Sequence, residues 1–185
     1  MKSLVLAILC LLSVSCATGP GHQTQATQTS AEESYELGLR YAHGIDVPEN
    51  QATAILYYQK AAHNGNARAQ NKLGVSYLLG QGVRQDAETA RYWFEQAAAQ
   101  GNAAAESELG YLYAAGIGAE KNNATAFSWY QKAANHGLAS AQYNLALLYQ
   151  WGIGTTVDLA KTRFWLQQSA NQGFDPARHA LARLK

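Results

Sequence analysis

The strongest constraint on the fold is that the chain repeats itself every 36 residues. One leucine position recurs at Leu37, Leu73, Leu109, Leu145 and Leu181. Other types keep the same spacing: tyrosine at 41, 77, 113 and 149, glycine at 44, 80, 116 and 152, and an aromatic residue at 57, 93, 129 and 165. A period of this length is typical of stacked units that share a continuous core. The sequence therefore predicts a repeat array.

The residue pattern within each repeat predicts two helices joined by a tight turn. In the second copy, Ala69, Leu73 and Tyr77 are spaced by four residues, so they share one face of a first helix. Gly80 ends that helix because glycine tolerates the positive φ of a helix C-terminus. Polar residues suited to N-capping precede the second helices, at Asn50, Asp86, Asn122 and Asp158.

The full pattern identifies a family resemblance. A-x-A-x-x-x-L-G-x-x-Y-x-x-G-x-G, followed by A-x-x-W-Y-x-x-A-A-x-x-G, resembles the Sel-one-like repeat (SLR) family, which is related to the tetratricopeptide repeat. The resemblance implies an all-α fold, an α/α solenoid with a right-handed superhelix. Copy one departs from the pattern at Gly44-Ile45-Asp46, where the second turn glycine is missing. The four predicted repeats are 31–66, 67–102, 103–138 and 139–174, followed by a capping helix over 175–185.

Residues 1–15 predict a lipoprotein signal peptide. Lys2 precedes an uncharged apolar run from Leu4 to Leu12, which is shorter than the roughly 20 residues of a membrane-spanning helix. The segment L-S-V-S-C, which ends at Cys16, resembles the bacterial lipobox. That resemblance implies cleavage before Cys16 and a diacylglycerol on its thiol, although Ser13 replaces the commonest residue, leucine. The alternative is that this segment is a buried N-terminal strand or helix.

Residues 16–30 are rich in Gly, Pro, Gln and Thr and predict a flexible tether. With the lipobox, this implies a lipid-anchored protein of the bacterial cell envelope. Ala17 follows Cys16 where an Asp would favour the inner membrane, so the outer membrane facing the periplasm is expected. Cys10 would be removed and Cys16 lipidated, and no repeat contains a cysteine. The chain therefore departs from the cysteine-rich branch of the family, whose units are locked by disulfides.

The sequence shows no catalytic residues, no metal ligands and no cofactor-binding pattern. H-E-x-x-H, Walker and G-x-S-x-G sequences are absent. A net charge of +1 argues against nucleic-acid binding, which needs an excess of Lys and Arg. Glu106 and Glu108 are two residues apart and cannot face each other on a helix. The five histidines, His22, His43, His63, His136 and His179, are expected to be solvated or to lie at helix ends.

Candidate binding residues are those that vary between the copies, since the invariant positions build the scaffold. The resemblance implies that the first helices line a concave face, with groove positions two before, two after and six after the repeat leucine. Aromatic side chains at such positions suit a protein-binding groove. The alternative is that several of them belong to the core between units. The predicted binding residues are Tyr35, Leu39, His43, Asn71, Val75, Leu79, Tyr111, Tyr143, Leu147 and Trp151.

These features predict a non-enzymatic, membrane-tethered periplasmic scaffold that binds a protein or peptide through its first helices. Because some SLR lipoproteins are immunity proteins, the resemblance also suggests protection against a secreted antibacterial toxin. Two alternatives remain open at this point. One is a cell-envelope enzyme related to peptidoglycan, and the other is a structural component of the envelope or of motor assembly.

Overall fold

The computed structural model describes the backbone of residues 20–184 and the side chains of residues 30–184. The predicted signal peptide and Cys16 lie outside the described residues. The described chain folds entirely as helices: α1 (Pro20–His43), α2 (Gln51–His63), α3 (Ala67–Leu79), α4 (Ala87–Ala98), α5 (Ala103–Ala115), α6 (Asn123–Asn135), α7 (Ala139–Trp151), α8 (Leu159–Asn171) and α9 (Asp175–Arg183).

Consecutive helices pack against each other along the whole described chain, and α3 also contacts α5. The odd-numbered helices α1, α3, α5 and α7 are the first helices of the four repeats, and α2, α4, α6 and α8 are the second helices. Each unit buries its apolar face against its own partner and against the next unit. The predicted all-α solenoid is confirmed.

Within a repeat, a glycine of the first helix lies against a ring of the second. A Cβ added at Gly74 would come within 2.5 Å of the Phe94 ring, which is fully buried. The fourth repeat has Ala146 at the glycine position and Leu166 in place of the ring, and both are fully buried. A larger residue on the first helix thus goes with a smaller side chain on the second helix, which keeps the contact close-packed. The same close approach occurs at Gly38 against Tyr58 and at Gly110 against Tyr130.

The turn of each later repeat packs on the preceding repeat. This contact explains why the first repeat lacks the second turn glycine. Gly82 has a φ of 71°, and a Cβ there would lie 2.7 Å from the carbonyl oxygen of Gln51 at the start of α2. The first repeat has Asp46 at this position, with a φ of 57°. In the described part of the chain no earlier second helix precedes it, so a side chain fits. Asp46 also pairs with Arg40 at 3.3 Å.

The four predicted N-caps are confirmed. Asn50 accepts a hydrogen bond from the Thr53 backbone N–H at 2.9 Å, and Asp86 accepts from the N–H of Thr89 at 3.1 Å. Asn122 and Asp158 make the same contact at the starts of α6 and α8. The backbone hydrogen bond from Thr89 is the largest cause that lowers the pKa of Asp86.

The structure differs from the sequence prediction at the tether. Helix α1 begins at Pro20, so residues 20–30 are helical rather than a flexible segment. Proline is favoured in the first helical turn, and no glycine or proline interrupts the following stretch from 23 to 36. At the other end, α9 lies within the predicted capping helix, and its Ala177 is fully buried.

None of the helices described is long and apolar enough to cross a membrane.

We predict that Gly74→Ala destabilises the protein although alanine favours helix. Alanine gains roughly 1 kcal/mol in helix propensity over glycine, whereas overpacking costs about 1–3 kcal/mol. Overpacking is expected to dominate, because the Phe94 ring is fully buried within a packed core cluster. The midpoint of urea unfolding measures the change.

Gly74→Ala/Phe94→Leu reproduces the alanine and leucine of the fourth repeat and is the matched control. We expect this double variant to be more stable than the sum of its two single variants implies. If the stability changes of the two single variants simply added up in the double variant, the matching of residue sizes between the two helices would be contradicted.

Candidate protein-binding surface

Three predicted binding residues are exposed apolar side chains on three successive first helices. Leu79 ends α3, Tyr111 lies in α5 and Trp151 ends α7. Their exposed fractions are 59%, 48% and 66%. We call the surface that carries Leu79, Tyr111 and Trp151 the helix-A surface. Large apolar side chains that solvent reaches from several repeats suit contact with another protein.

Tyr35 does not belong to this surface, so its prediction as a contact residue is corrected. Its side chain is only 6% exposed, and its ring centroid lies 6.0 Å from that of Tyr58. The guanidinium of Arg68, from the second repeat, lies 4.5 Å from the Tyr35 ring centroid. The same guanidinium forms ion pairs with Glu32 and Glu36. The second repeat therefore covers Tyr35.

Three further predicted residues are half-buried and pack into the core between helices. Leu39 packs on the first core cluster, and Val75 packs on the second. Tyr143 packs beside Phe174, with 5.6 Å between the ring centroids. At these three positions the surroundings fit the alternative prediction, a place in the core between units, better than they fit an exposed place in a groove.

The remaining predicted residues differ in their exposure. His43 is exposed and lines an open cleft of about 570 Å³ between the first two repeats, with Glu49 and Lys72. Asn71 and Leu147 are half-buried. The Oδ1 atom of Asn71 is buried, and no side chain or backbone group in the described chain donates a hydrogen bond to it.

Glu108 is the carboxylate beside the apolar part of the helix-A surface. It lies three residues before Tyr111 on α5, so the two side chains share a helix face. Burial raises the pKa of the half-buried Glu108. Burial also raises the pKa of Tyr130 to about 12, and the nearby Glu108 and Tyr111 contribute to that rise.

Glu106 lies on a different side of α5, as its spacing from Glu108 predicts. It is 2% exposed, and its carboxylate lies 2.7 Å from Nδ1 of His136 at the end of α6. The corresponding positions in the neighbouring repeats hold amide pairs with the same role. These pairs are Gln70 with Gln100 at 2.7 Å and Gln142 with Gln172 at 2.8 Å. Each pair ties the two helices of one repeat together.

A second exposed apolar surface was not among the predicted sites. Leu56, Tyr92 and Phe164 lie on the second helices and are 65%, 52% and 53% exposed. We call this the helix-B surface. Its signal is visible in the sequence, because the three residues keep the 36-residue phase and each precedes the aromatic position of its repeat. Ser128 interrupts the row in the third repeat.

Among the described side chains, no three of His, Cys, Asp or Glu are grouped so that they could hold a metal ion.

The comparisons with known proteins place the chain in a family. The Sel1 repeat profile matches residues 34–66, 67–102, 103–138 and 139–174. The chain therefore belongs to the Sel1 repeat family, which confirms the resemblance seen in its sequence. No curated protein sequence matches the chain significantly.

Solved structures show the same architecture. A protective antigen of uropathogenic Escherichia coli with an SLR fold is 35% identical, with a TM-score of 0.80 over 86% of this chain and 34% of that one. A Sel1 repeat protein of Oxalobacter formigenes is 34% identical, with a TM-score of 0.79 over 90% and 64%. The chain thus spans a third to just under two thirds of their lengths.

A more distant structure is an immunity protein of Pseudomonas aeruginosa. It is 21% identical, with a TM-score of 0.51 over 85% of this chain and 76% of that one. This likeness shows a shared fold.

We predict that His136→Ala lowers the stability of the protein. The substitution leaves the buried Glu106 carboxylate without its partner, and a buried unsatisfied group costs roughly 1–3 kcal/mol. Urea unfolding measures the loss. The matched variant Glu106→Gln/His136→Gln installs the amide pair of the neighbouring repeats and should recover most of the stability. An unchanged midpoint for His136→Ala would contradict the stabilising role of the pair.

Proposed function

We propose that this protein is a non-catalytic scaffold that binds a protein or peptide along its helix-A surface. The observation that carries the proposal is the exposure of Leu79, Tyr111 and Trp151 on three successive first helices. Stacked repeats present extended surfaces of this kind to their partners. Tyr and Trp are also enriched among the residues that dominate binding energy at protein interfaces.

Polar groups accompany the apolar side chains of the helix-A surface. The first helices also carry the half-buried Lys72 and Glu108, and the open cleft at His43 lies between two of them. An apolar centre with a polar margin is the usual arrangement of a specific protein interface. Charged groups at the margin would fix the register of a bound segment.

We predict that Leu79→Ala/Tyr111→Ala/Trp151→Ala loses the partner while the fold is retained. These side chains are exposed, so their truncation removes little core packing, whereas the loss of interface anchors costs about 2 kcal/mol or more per anchor. Affinity purification with the wild-type protein and the variant, followed by quantitative mass spectrometry, measures partner recovery. Circular dichroism checks that both remain helical.

The matched control is Leu56→Ala/Tyr92→Ala/Phe164→Ala, which removes comparable exposed area from the helix-B surface. This control should recover the partner as the wild type does. Full recovery by the helix-A variant, or a selective loss with the helix-B control, would contradict the proposed surface.

We also propose that the protein is attached to the bacterial outer membrane, facing the periplasm, by lipid on Cys16. The support is the signal-like segment and the lipobox-like sequence before Cys16. The predicted outcome is that Cys16→Ser abolishes labelling by radioactive palmitate and shifts the protein out of the membrane fraction. Acyl chains supply the membrane affinity. Persistent labelling of the variant would contradict lipidation at this residue.

A narrower form of the proposal is that the bound protein is a secreted antibacterial toxin, which would make this chain an immunity protein. An immunity protein of Pseudomonas aeruginosa has the same fold, so the architecture is compatible with this role. A strain that lacks the gene should be killed by the toxin encoded beside it, and the restored gene should protect. Survival of the deletion strain would contradict this form of the proposal.

A further inference from the structure

We propose that Glu108 and the ring of Tyr111 form a socket on the helix-A surface for a cationic side chain, arginine or lysine, of the bound protein. The inference rests on the proposed function and specifies the chemistry of the partner at one position. Its basis is a comparison between the first and third repeats of this chain.

The first repeat shows how the chain neutralises a carboxylate at the same repeat position. Glu36 lies one residue before Leu37, as Glu108 lies one residue before Leu109. Arg68 of the following repeat reaches Glu36 at 3.7 Å, and its guanidinium also lies 4.5 Å from the centroid of a tyrosine ring. In this repeat Glu36 and the buried Tyr35 ring contact an arginine that the next repeat supplies. The third repeat has Ser107 at the position of Tyr35, and its exposed tyrosine, Tyr111, lies four residues further along the chain.

The third repeat lacks that cation. The residue 32 positions after Glu36 is Arg68, whereas the residue 32 positions after Glu108 is Ser140. Ser140 carries no charge, and no residue in the described chain forms an ion pair with Glu108. The ion pairs that the described carboxylates do make are those of Asp46, Glu32, Glu36, Glu95, Glu106, Asp158 and Asp175.

The Glu108 carboxylate is in an unfavourable position when the protein is alone. No described group pairs with the half-buried Glu108, so water alone solvates its carboxylate, and partial burial removes some of that water at a cost in free energy. Burial is the cause that raises the pKa of Glu108, and no nearby cation opposes it. A cation from a partner would remove this penalty.

Tyr111 supplies the second wall of the socket. It is 48% exposed and stands one helical turn beyond Glu108 on the same face of α5. A cation over the face of a tyrosine ring is attracted by its π system, and arginine uses this contact more often than lysine. Arg68 over the buried Tyr35 shows such a contact within this chain, at a different repeat position from that of Tyr111.

The test is a selection from a displayed library of random peptides on the full chain. Parallel selections use the wild type, Glu108→Gln and Glu120→Gln. Glu120 is an exposed residue of the same repeat, so its variant is the charge-matched control. The expected result is an arginine or lysine enriched at one position of peptides selected by the wild type and by Glu120→Gln, and absent with Glu108→Gln.

Ser140→Arg adds a gain-of-contact variant. It places an arginine at the repeat position of Arg68, so the new guanidinium should pair with Glu108 from within the chain and occupy the socket. Peptides selected on the wild type should bind about tenfold more weakly to Glu108→Gln and to Ser140→Arg, as expected for the loss of a charge-assisted contact.

The outcomes distinguish a failure of the socket from a failure of the proposed binding surface. If peptides depend on Leu79, Tyr111 and Trp151 but show no basic enrichment, or bind Glu108→Gln equally well, the socket is wrong and the surface stands. If no selected peptide depends on those three residues, both proposals fail.

Thermal unfolding tests whether Glu108 is merely structural. Removing a half-buried unpaired charge should leave the melting temperature of Glu108→Gln unchanged or higher. A lower melting temperature together with weaker binding would overturn the socket in favour of a structural role.

Discussion

The distance between the two helices of each repeat is the constraint on which the rest of the structure depends. That distance is set by the contact between a glycine of the first helix and a ring of the second, as at Gly74 and Phe94. In the fourth repeat Ala146 and Leu166 take the places of the glycine and the ring, and both are fully buried. Close approach buries the small residues completely and leaves only a narrow face of each helix for solvent. The helix-A and helix-B surfaces are these faces.

A repeated scaffold makes the departures between copies informative. The tie between helices is a glutamine pair in two repeats and the Glu106 and His136 pair in the third. The carboxylate of Glu36 has its arginine, whereas the equivalent Glu108 does not. Asp46 replaces a turn glycine where no described second helix precedes it. Positions that differ from their copies therefore report an exchanged pair between helices, an end of the array or a surface open to a partner.

Much of the fold could be predicted from the sequence because its signals are local and repeated. The turn at Gly80 and the cap at Asp86 depend on backbone conformation and on one nearby hydrogen bond. The binding residues were harder to predict, since a shift of one residue turns a helical side chain by about 100°. Tyr35 is covered by Arg68 of the next repeat, and Tyr143 packs on Phe174, the residue that precedes α9.

The start of α1 shows a related limit. Composition around Pro20 favours a tether, yet the backbone continues the first helix through it. The helix-B row is visible in the sequence, but apolar residues that keep the repeat phase are also expected of the scaffold, so the phase alone does not show that they are exposed. For Glu108 the sequence shows only that it cannot face Glu106, whereas its lack of a cation becomes apparent when contacts in two repeats are compared.

Hydrogen exchange measured by mass spectrometry, with and without the captured partner, tests the central claim most directly. If the helix-A surface binds the partner, amide exchange should slow around Leu79 at the end of α3, around Tyr111 in α5 and around Trp151 at the end of α7. Exchange in the second helices α4 and α8 should change little. Slowing confined to α4 and α8, around Tyr92 and Phe164, would show that the partner binds the opposite set of helices and would contradict the account.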